Sequence, residues 1–386
     1  MFVNLDMAYW AIYGLLAILG INVFIILAMK IRKKQTQKKT QKCVQQFQEY
    51  LDTIQSDLKQ KDRLPLPDKP LNKFEKQVLQ QVLFDWIHHY SGEKQTKLEI
   101  LCKDLGLVEL NLKRLKSLSH KTQVDAAYNL GVMRAPEATD PLFQLLYRNK
   151  RDSTMFIIAR SIAQTSDQPA KVKDMIIHLS EDNHNNYALI TDISQESSLD
   201  LRVIYTQLLK ESRPVLTKVA LLGLMEESTP DLHSQVLPFI TSEDKEVREL
   251  TVQLLIYSGA CSASEIQKFI RFKDWEIRSF IAEWIGDAKK TEYTSLLEEG
   301  LKDKNWTVAR SSARSLLKLG ESGFEMLCKV AQTNQAGADV ALECLHEELS
   351  IQASKAEQMK QSSDYDHKLY IFKQHFGEDQ QLTPAM

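Results

Sequence analysis

One pattern recurs three times between residues 241 and 320: Asp244-Lys-Glu-Val247-Arg248, Asp274-Trp-Glu-Ile277-Arg278 and Asn305-Trp-Thr-Val308-Ala-Arg310. A mostly apolar segment of about twelve residues follows each copy, an ordinary helix length. Val247, Ile277 and Val308 lie 30 and 31 residues apart. A fixed period in this range marks a stacked array of small units, none of which can bury its apolar face alone. That excludes a fold built around one closed core and governs the reading of the rest of the chain.

The anchor can be followed outwards. Val340 lies 32 residues beyond Val308, and Leu216 lies 31 before Val247. Met155 is 61 before Leu216, which leaves room for one anchor near Tyr187, and the first unit begins near Thr122 or Val124. The spacing therefore predicts eight units over residues 119–350. Four residues after the anchor stand Ala159, Ala220, Thr251, Ile281 and Ser312, mostly small; eight after it stand Ala163, Leu224, Leu255, Ile285 and Leu316. Spacings of 4 and 8 put these side chains on one helical face. Three residues before the anchor come Asp152, Asp244, Asp274 and Asn305, all good N-cap residues, and Pro214 holds the favoured first helical position before Leu216. First helices of each pair are expected at Asp140–Arg148, Val172–Leu179, Leu199–Leu209, Ser234–Ile240, Ser264–Phe272, Thr294–Leu301 and Phe324–Ala331.

Asp/Asn-x-x-Val/Ile-Arg, followed by a small residue and by Ile285-Gly286, resembles the HEAT repeat, in the short form found in bacteria. The period of about 31 is below the 40–47 of longer HEAT repeats. The resemblance covers residues 119–350 and is strongest over 241–320. The unit near Tyr187 departs from it, having no Arg and a polar Gln195 where Leu is expected. The fold class is accordingly all-α: an N-terminal transmembrane helix followed by an α-α superhelix, a HEAT-like solenoid of about eight helix pairs. The resemblance to membrane-anchored bacterial HEAT-repeat proteins implies an extended surface for a protein partner and no cofactor.

The anchor itself is read from residues 1–42. Ala8 to Met29 is an almost unbroken apolar run of 22 residues, about 33 Å as a helix and enough for a bilayer core. Tyr9, Trp10 and Tyr13 stand where an aromatic belt would sit. Lys30, Arg32, Lys33, Lys34, Lys38, Lys39 and Lys42 all follow the run. This places the repeats on the cytoplasmic side of an inner membrane and residues 1–7 on the other. No positive charge precedes the run and no small-residue cleavage site follows it, which argues against a signal peptide. The basic collar fixes topology and meets anionic headgroups.

Residues 30–70 continue from collar to stalk to linker. Val44, Phe47, Leu51, Ile54 and Leu58 form an a/d stripe. Two heptads fit either an amphipathic helix lying on the repeats or on the membrane, or weak parallel homodimerisation. Leu64-Pro-Leu-Pro-Asp-Lys-Pro70 makes a stiff linker. Residues 71–118 read as a helical N-terminal cap, which a solenoid needs over its first apolar face. Residues 351–386 read as a tail with a helix around Leu369–Phe376 and disorder from Glu378 to Met386.

The chain carries no phosphate-binding loop, dinucleotide fingerprint, metalloprotease helix, nucleophile elbow or EF-hand, so no residue is assigned to catalysis or metal. His88 and His89 are adjacent and diverge on a helix. Glu343-Cys344-Leu-His346-Glu347 reads as a helix surface with one buried Cys. Asp244, Arg248, Asp274, Arg278, Asn305 and Arg310 recur with the repeat and are assigned to capping and to pairing between neighbours. Trp275 and Trp306 fill the first helical position of successive units and are candidates for partner binding.

Charge narrows the function classes. Residues 1–42 carry net +6 against an overall −2, so the remainder carries −8. A mildly acidic body argues against nucleic-acid binding. Five scattered cysteines without a CxxC pair fit a reducing compartment. The expected function is a membrane-tethered scaffold or adaptor for a protein partner, such as an envelope-biosynthesis or signalling complex. Two alternatives belong to other classes. One is a HEAT-like enzyme of lyase or base-glycosylase type, with the irregular His184–Gln195 unit as the candidate pocket. The other is a homo-oligomeric element held by the 44–58 stripe.

Overall fold

The computed structural model describes residues 5–148, 153–181, 186–333, 335–359 and 363–377. Among these residues there are twenty-one α-helices and no strand. Asp152, His184 and the segment Glu378–Met386 singled out above lie outside the described residues.

The first helix, α1 (Leu5–Gln46), is 42 residues long. No proline interrupts it, so apolar run and basic collar form one rod of about 63 Å. It is long and apolar enough to cross a membrane, and its apolar stretch is exposed, with Phe24 at 72%. The chain breaks at Phe47 and continues as α2 (Gln48–Asp57). Cys43, Leu51, Ile54 and Leu58 are buried in this chain's own body. Of the 44–58 stripe, Leu51, Ile54 and Leu58 are therefore turned inward, and Val44 and Phe47 are half-buried. The linker is extended but not free. Arg63 donates to both oxygens of Asp104 at 3.0 Å, the Tyr50 hydroxyl donates to the Pro65 carbonyl at 3.0 Å, and Leu64 is buried.

The cap comprises α3 (Lys73–His89), α4 (Glu93–Asp104) and α5 (Leu107–Leu115). Asn72 accepts from the amides of Phe74 and Glu75 while the Glu75 carboxylate accepts from the Asn72 amide at 2.8 Å, a reciprocal capping box. Leu79, Leu83, Leu98, Leu101 and Leu107 are almost wholly enclosed, each worth about 1.5–3 kcal/mol of transfer free energy. His88 and His89 each hold a carbonyl four residues back at 2.6 Å.

The repeats begin with α6 (His120–Val132), α7 (Thr139–Arg148), α8 (Thr154–Thr165), α9 (Pro169–Leu179) and α10 (Tyr187–Gln195). They continue through α11 (Leu201–Leu208), α12 (Pro214–Gly223), α13 (His233–Val236), α14 (Lys245–Tyr257) and α15 (Ala263–Phe269). They end with α16 (Trp275–Asp287), α17 (Thr294–Leu301), α18 (Trp306–Lys318), α19 (Glu321–Ala331) and α20 (Ala338–Met359); α21 (Ser363–Phe376) follows. The even-numbered helices from α6 to α20 are the second helices of the eight expected units.

The chain divides into two compact units, Met1–Met175 with Ile193–Leu199, and Ile176–Asp192 with Asp200–Met386. The division runs through α9 and α10, at the repeat whose sequence is irregular. In the first unit α5 packs on α6, α6 on α8 and α7 on α8. In the second, α12, α14, α16, α18 and α20 pack in succession, each on the next, and α17 and α19 lie against them. In α21, Ile371 and Phe372 are buried against the last repeat, so the tail helix closes that end.

Leu216, Val247, Ile277 and Val308 are each at most 1% exposed, and the positions four and eight residues on are equally enclosed. Two anchors fall elsewhere. Tyr187 is half-buried at the first position of α10, and Ile190 and Ile193 take the core. Val340 is half-buried too, and Ala341, Cys344 and Leu345 fill the core in its place. The expected helix Ser234–Ile240 is a four-residue α-helix followed by a 3-10 turn, Leu237–Thr241. Pro238 brings no amide donor to continue the α pattern.

Close helix approach depends on small residues. A Cβ on Gly286 would meet the Cα of Ser315 at 2.7 Å, and one on Gly323 would meet the backbone oxygen of Leu316 at 1.9 Å. Backbone cannot swing aside as a long side chain can. Gly323→Ala is therefore expected to lower stability by about 2 kcal/mol, as overpacking does. Helix propensity alone would raise it by about 1 kcal/mol. Urea denaturation followed by circular dichroism reads the sign.

Candidate interaction surface

The surface that carries the recurring residues lies in the second unit, at the N-terminal ends of α12, α14, α16 and α18. It is built from two layers, a buried ladder of ion pairs and an exposed row of aromatic and basic side chains.

The ladder begins with Lys218, which pairs with Asp244 at 2.8 Å and with Glu246 at 2.7 Å. Asp244 caps α14 by accepting from the Val247 amide at 3.2 Å. Arg248 then uses all its reach. Its Nε and Nη2 donate to the two carboxylate oxygens of Asp274 at 2.7 and 2.9 Å, and its Nη1 donates to the carbonyls of Ser242 and Glu243. Arg278 repeats this on the turn before α16, with Nη1 on the carbonyls of Phe272 and Lys273. Each arginine thus ties down the loop of its own unit and grips the acid of the next. Fork-shaped guanidinium suits this double duty; lysine has no such geometry.

Three expected roles change. Asp274 makes no capping bond, because Arg248 takes both of its oxygens. Asn305 does cap α18 through the Thr307 amide at 2.9 Å, but it is uncharged and has no second oxygen for a two-bond grip by Arg278. That guanidinium goes instead to Asp303 at 2.6 and 2.8 Å, and Asp303 in turn accepts from the Asn305 amide. Arg310 stands one residue later in its unit than Arg248 and Arg278 do in theirs. The extra step turns it about 100° round the helix, and it pairs with Glu343 at 2.6 Å and with Glu347 on α20. Glu343 and Glu347 thereby serve Arg310, while Cys344 between them is buried and the His346 ring lies 5.7 Å from that of Phe372. No cluster of three metal-ligating side chains occurs among the described residues.

Trp275 and Trp306 begin α16 and α18, which pack directly on each other. Trp275 is 38% exposed and Trp306 55%, so neither is core. Lys245 from the preceding unit lies 5.8 Å from the Trp275 ring, and the Arg310 guanidinium 4.9 Å from the Trp306 ring. These cations hold one face of each ring. Exposed Lys273 and Lys304 stand two residues before each tryptophan. Tyr187, expected as a core anchor, is half-buried and placed like these two tryptophans. It also starts its helix, and Lys218 lies 5.7 Å from its ring. The signal was its place as the first helical residue, where two other units carry Trp.

No family model matches the chain, and no curated protein matches it. Among solved structures, an engineered protein aligns with 69% of this chain and 95% of its own at 17% identity and a TM-score of 0.17, a likeness too slight to bear on function.

Hydrogen bonds from Arg248 hold the Asp274 carboxyl below its ordinary value of 3.8. A carboxylate whose pKa is depressed by folding stabilises the fold above its unfolded pKa, and the contribution disappears as pH falls through the folded pKa. Both side chains are largely buried, at 7% and 12%, so Arg248→Met is expected to cost about 3 kcal/mol near neutral pH. The gap between wild type and variant should stay level down to about pH 5 and narrow only below about pH 4. Urea denaturation at a series of pH values measures both.

Proposed function

We propose that this chain is a membrane-tethered, HEAT-like docking scaffold, anchored once in the cell membrane with its N-terminus outside and its repeats on the cytoplasmic face. The observation that carries the docking role is the pair Trp275 and Trp306. Two large aromatic side chains are held exposed on consecutive helices, each steadied by a cation. Leaving indole rings in water forgoes burial energy, and aromatic anchors of this kind dominate protein interfaces. Lys273 and Lys304 flank them, while Lys245 is already paired with Glu276, so the complementary partner presents an apolar side chain bordered by acidic residues. With the ladder beneath, the row is rigid before the partner arrives, which lowers the entropic cost of docking.

What supports the tether is α1. A core helix of this composition would be buried, whereas this one is exposed along its apolar stretch. Its end is buried at Cys43 beside α3, so the spacer from Met29 to Cys43 is about 21 Å of continuous helix. Of the collar, Lys30 to Lys34 then lie within the screening length of about 8 Å from the headgroups, and Lys38 to Lys42 lie beyond it. A tether of fixed length raises the effective concentration of a membrane-bound partner.

Deleting residues 8–29 is expected to move the protein from the carbonate-resistant membrane pellet to the soluble fraction; retention in the pellet removes the tether. For the docking role, crosslinking in intact membranes identifies what the wild-type protein captures. The double variant Trp275→Ala/Trp306→Ala should lose that capture at least about thirtyfold, the weight of a 2 kcal/mol anchor, with its thermal unfolding unchanged. Equal capture by the folded double variant assigns the partner surface elsewhere.

A further inference from the structure

The apolar run of α1 holds one strongly polar side chain, Asn22. It donates one amide hydrogen to the Ile18 carbonyl, one turn back, at 2.9 Å. Its second N–H and its side-chain oxygen make no hydrogen bond among the described residues, and the residue is exposed. On the tether reading given above, Asn22 lies about 5 Å from the midpoint of the Ala8–Met29 run, inside the hydrocarbon. Water does not complete its hydrogen bonds there, and an unmatched donor and acceptor in an apolar medium cost free energy. Polar side chains within a span therefore turn to another helix rather than to lipid.

Asn22 also singles out one face of a helix that is apolar all round. Leu15, Ile18, Ile25 and Met29 stand at 3-4 spacing about it, which puts each within about 60° of Asn22 round the helix. All four are exposed. Such spacing is the seam along which two helices wind about each other, and a single Asn in the seam fixes register and strand number.

We propose that α1 pairs with α1 of a second copy of this chain, parallel and in register, with Asn22 hydrogen-bonded to Asn22. Two observations select a second copy over a helix of another protein. Lys30 to Lys42 all follow the apolar run, so every copy inserts in one orientation and carries Asn22 at one depth. The groups left open on Asn22 are also self-complementary. One N–H and one oxygen remain, so each of two facing amides donates once and accepts once. The contact runs about 21 Å, from Leu15 to Met29. Lys33 comes next on this face, and two like charges meeting there part the helices. Each pair carries two copies of the tryptophan surface, so a partner with two matching sites is held more tightly than by either alone.

The test uses the full-length protein, first in intact membranes. Leu15→Cys, Ile18→Cys and Ile25→Cys should each give a disulfide-linked dimer on oxidation, above the background of the native cysteines. Phe24→Cys and Leu27→Cys, on the opposite side of the helix, should not. In density-matched detergent, sedimentation equilibrium should then show a monomer–dimer equilibrium. Asn22→Leu should weaken it about tenfold, the weight of two hydrogen bonds between membrane helices. Asn22→Gln, which keeps an amide, should weaken it less. Carbonate extraction separates two failures. Wild-type protein absent from the membrane pellet overturns the tether reading and the pairing with it. Protein in the pellet that crosslinks equally from both sides of α1, that crosslinks only to other polypeptides, or that pairs as tightly with Asn22→Leu as without it overturns the pairing alone.

Discussion

Burial of faces that no single helix can cover is the constraint on which the rest of this molecule depends. Each second helix carries a stripe four and eight residues from its anchor, and the stripe is dry only when the neighbouring helices lie against it. Ile281, Ile285 and Leu316 reach essentially zero exposure in this way. The approach is close enough that Gly286 sits on the backbone of Ser315. Ends of such a stack would expose the same stripe to water. The cap of α3 to α5 closes one side, with α2 laid against it, and α21 closes the other through Phe372. Helices outside the repeat are in this sense consequences of the repeat.

Apolar faces set which helices touch, but they slide easily along one another. The arginine ladder fixes register. Arg248 and Arg278 each bond the loop before their own helix and the acid of the following unit, so axial slip would break several directed bonds at once. Their pairs are largely enclosed, where an unmatched charge is expensive. Arg310 departs from this by one residue and finds its acids on α20 instead. That adaptation suits the last step of the ladder, where no further repeat offers an aspartate at the usual place.

Much of this was legible because periodicity reports burial directly. Eight units were countable from Val247, Ile277 and Val308, and all eight second helices begin within a few residues of the expected places. What was not legible depends on three-dimensional choice among near-equal partners. Asp274 and Asn305 look alike as N-caps, yet a carboxylate offers a guanidinium two charged acceptors and an amide only one neutral oxygen, so one was diverted from capping and the other was bypassed for Asp303. The a/d stripe at 44–58 is amphipathic, and that Leu51, Ile54 and Leu58 are buried within the same chain is a fact that no local pattern carries.

The arginines of the two units make a useful contrast. Arg248 directs Nε, Nη1 and Nη2 to acceptors, so hydrogen bonds offset the cost of taking the charge out of water. Arg134 ends α6 in a left-handed turn at φ +45°, as Lys289 ends α16 at φ +50°, with an acid 3.6 Å from its Nε and a buried Nη1 with nothing to bond. Structural residues converge on satisfaction because each unpaired buried donor subtracts from a small net stability. Two indole rings left in water on α16 and α18 add little to stability where they stand. They sit at helix starts rather than on helix faces already used for stacking. A stack of paired helices consumes its faces in building itself, so its ends and turns are the surface it has left for recognition.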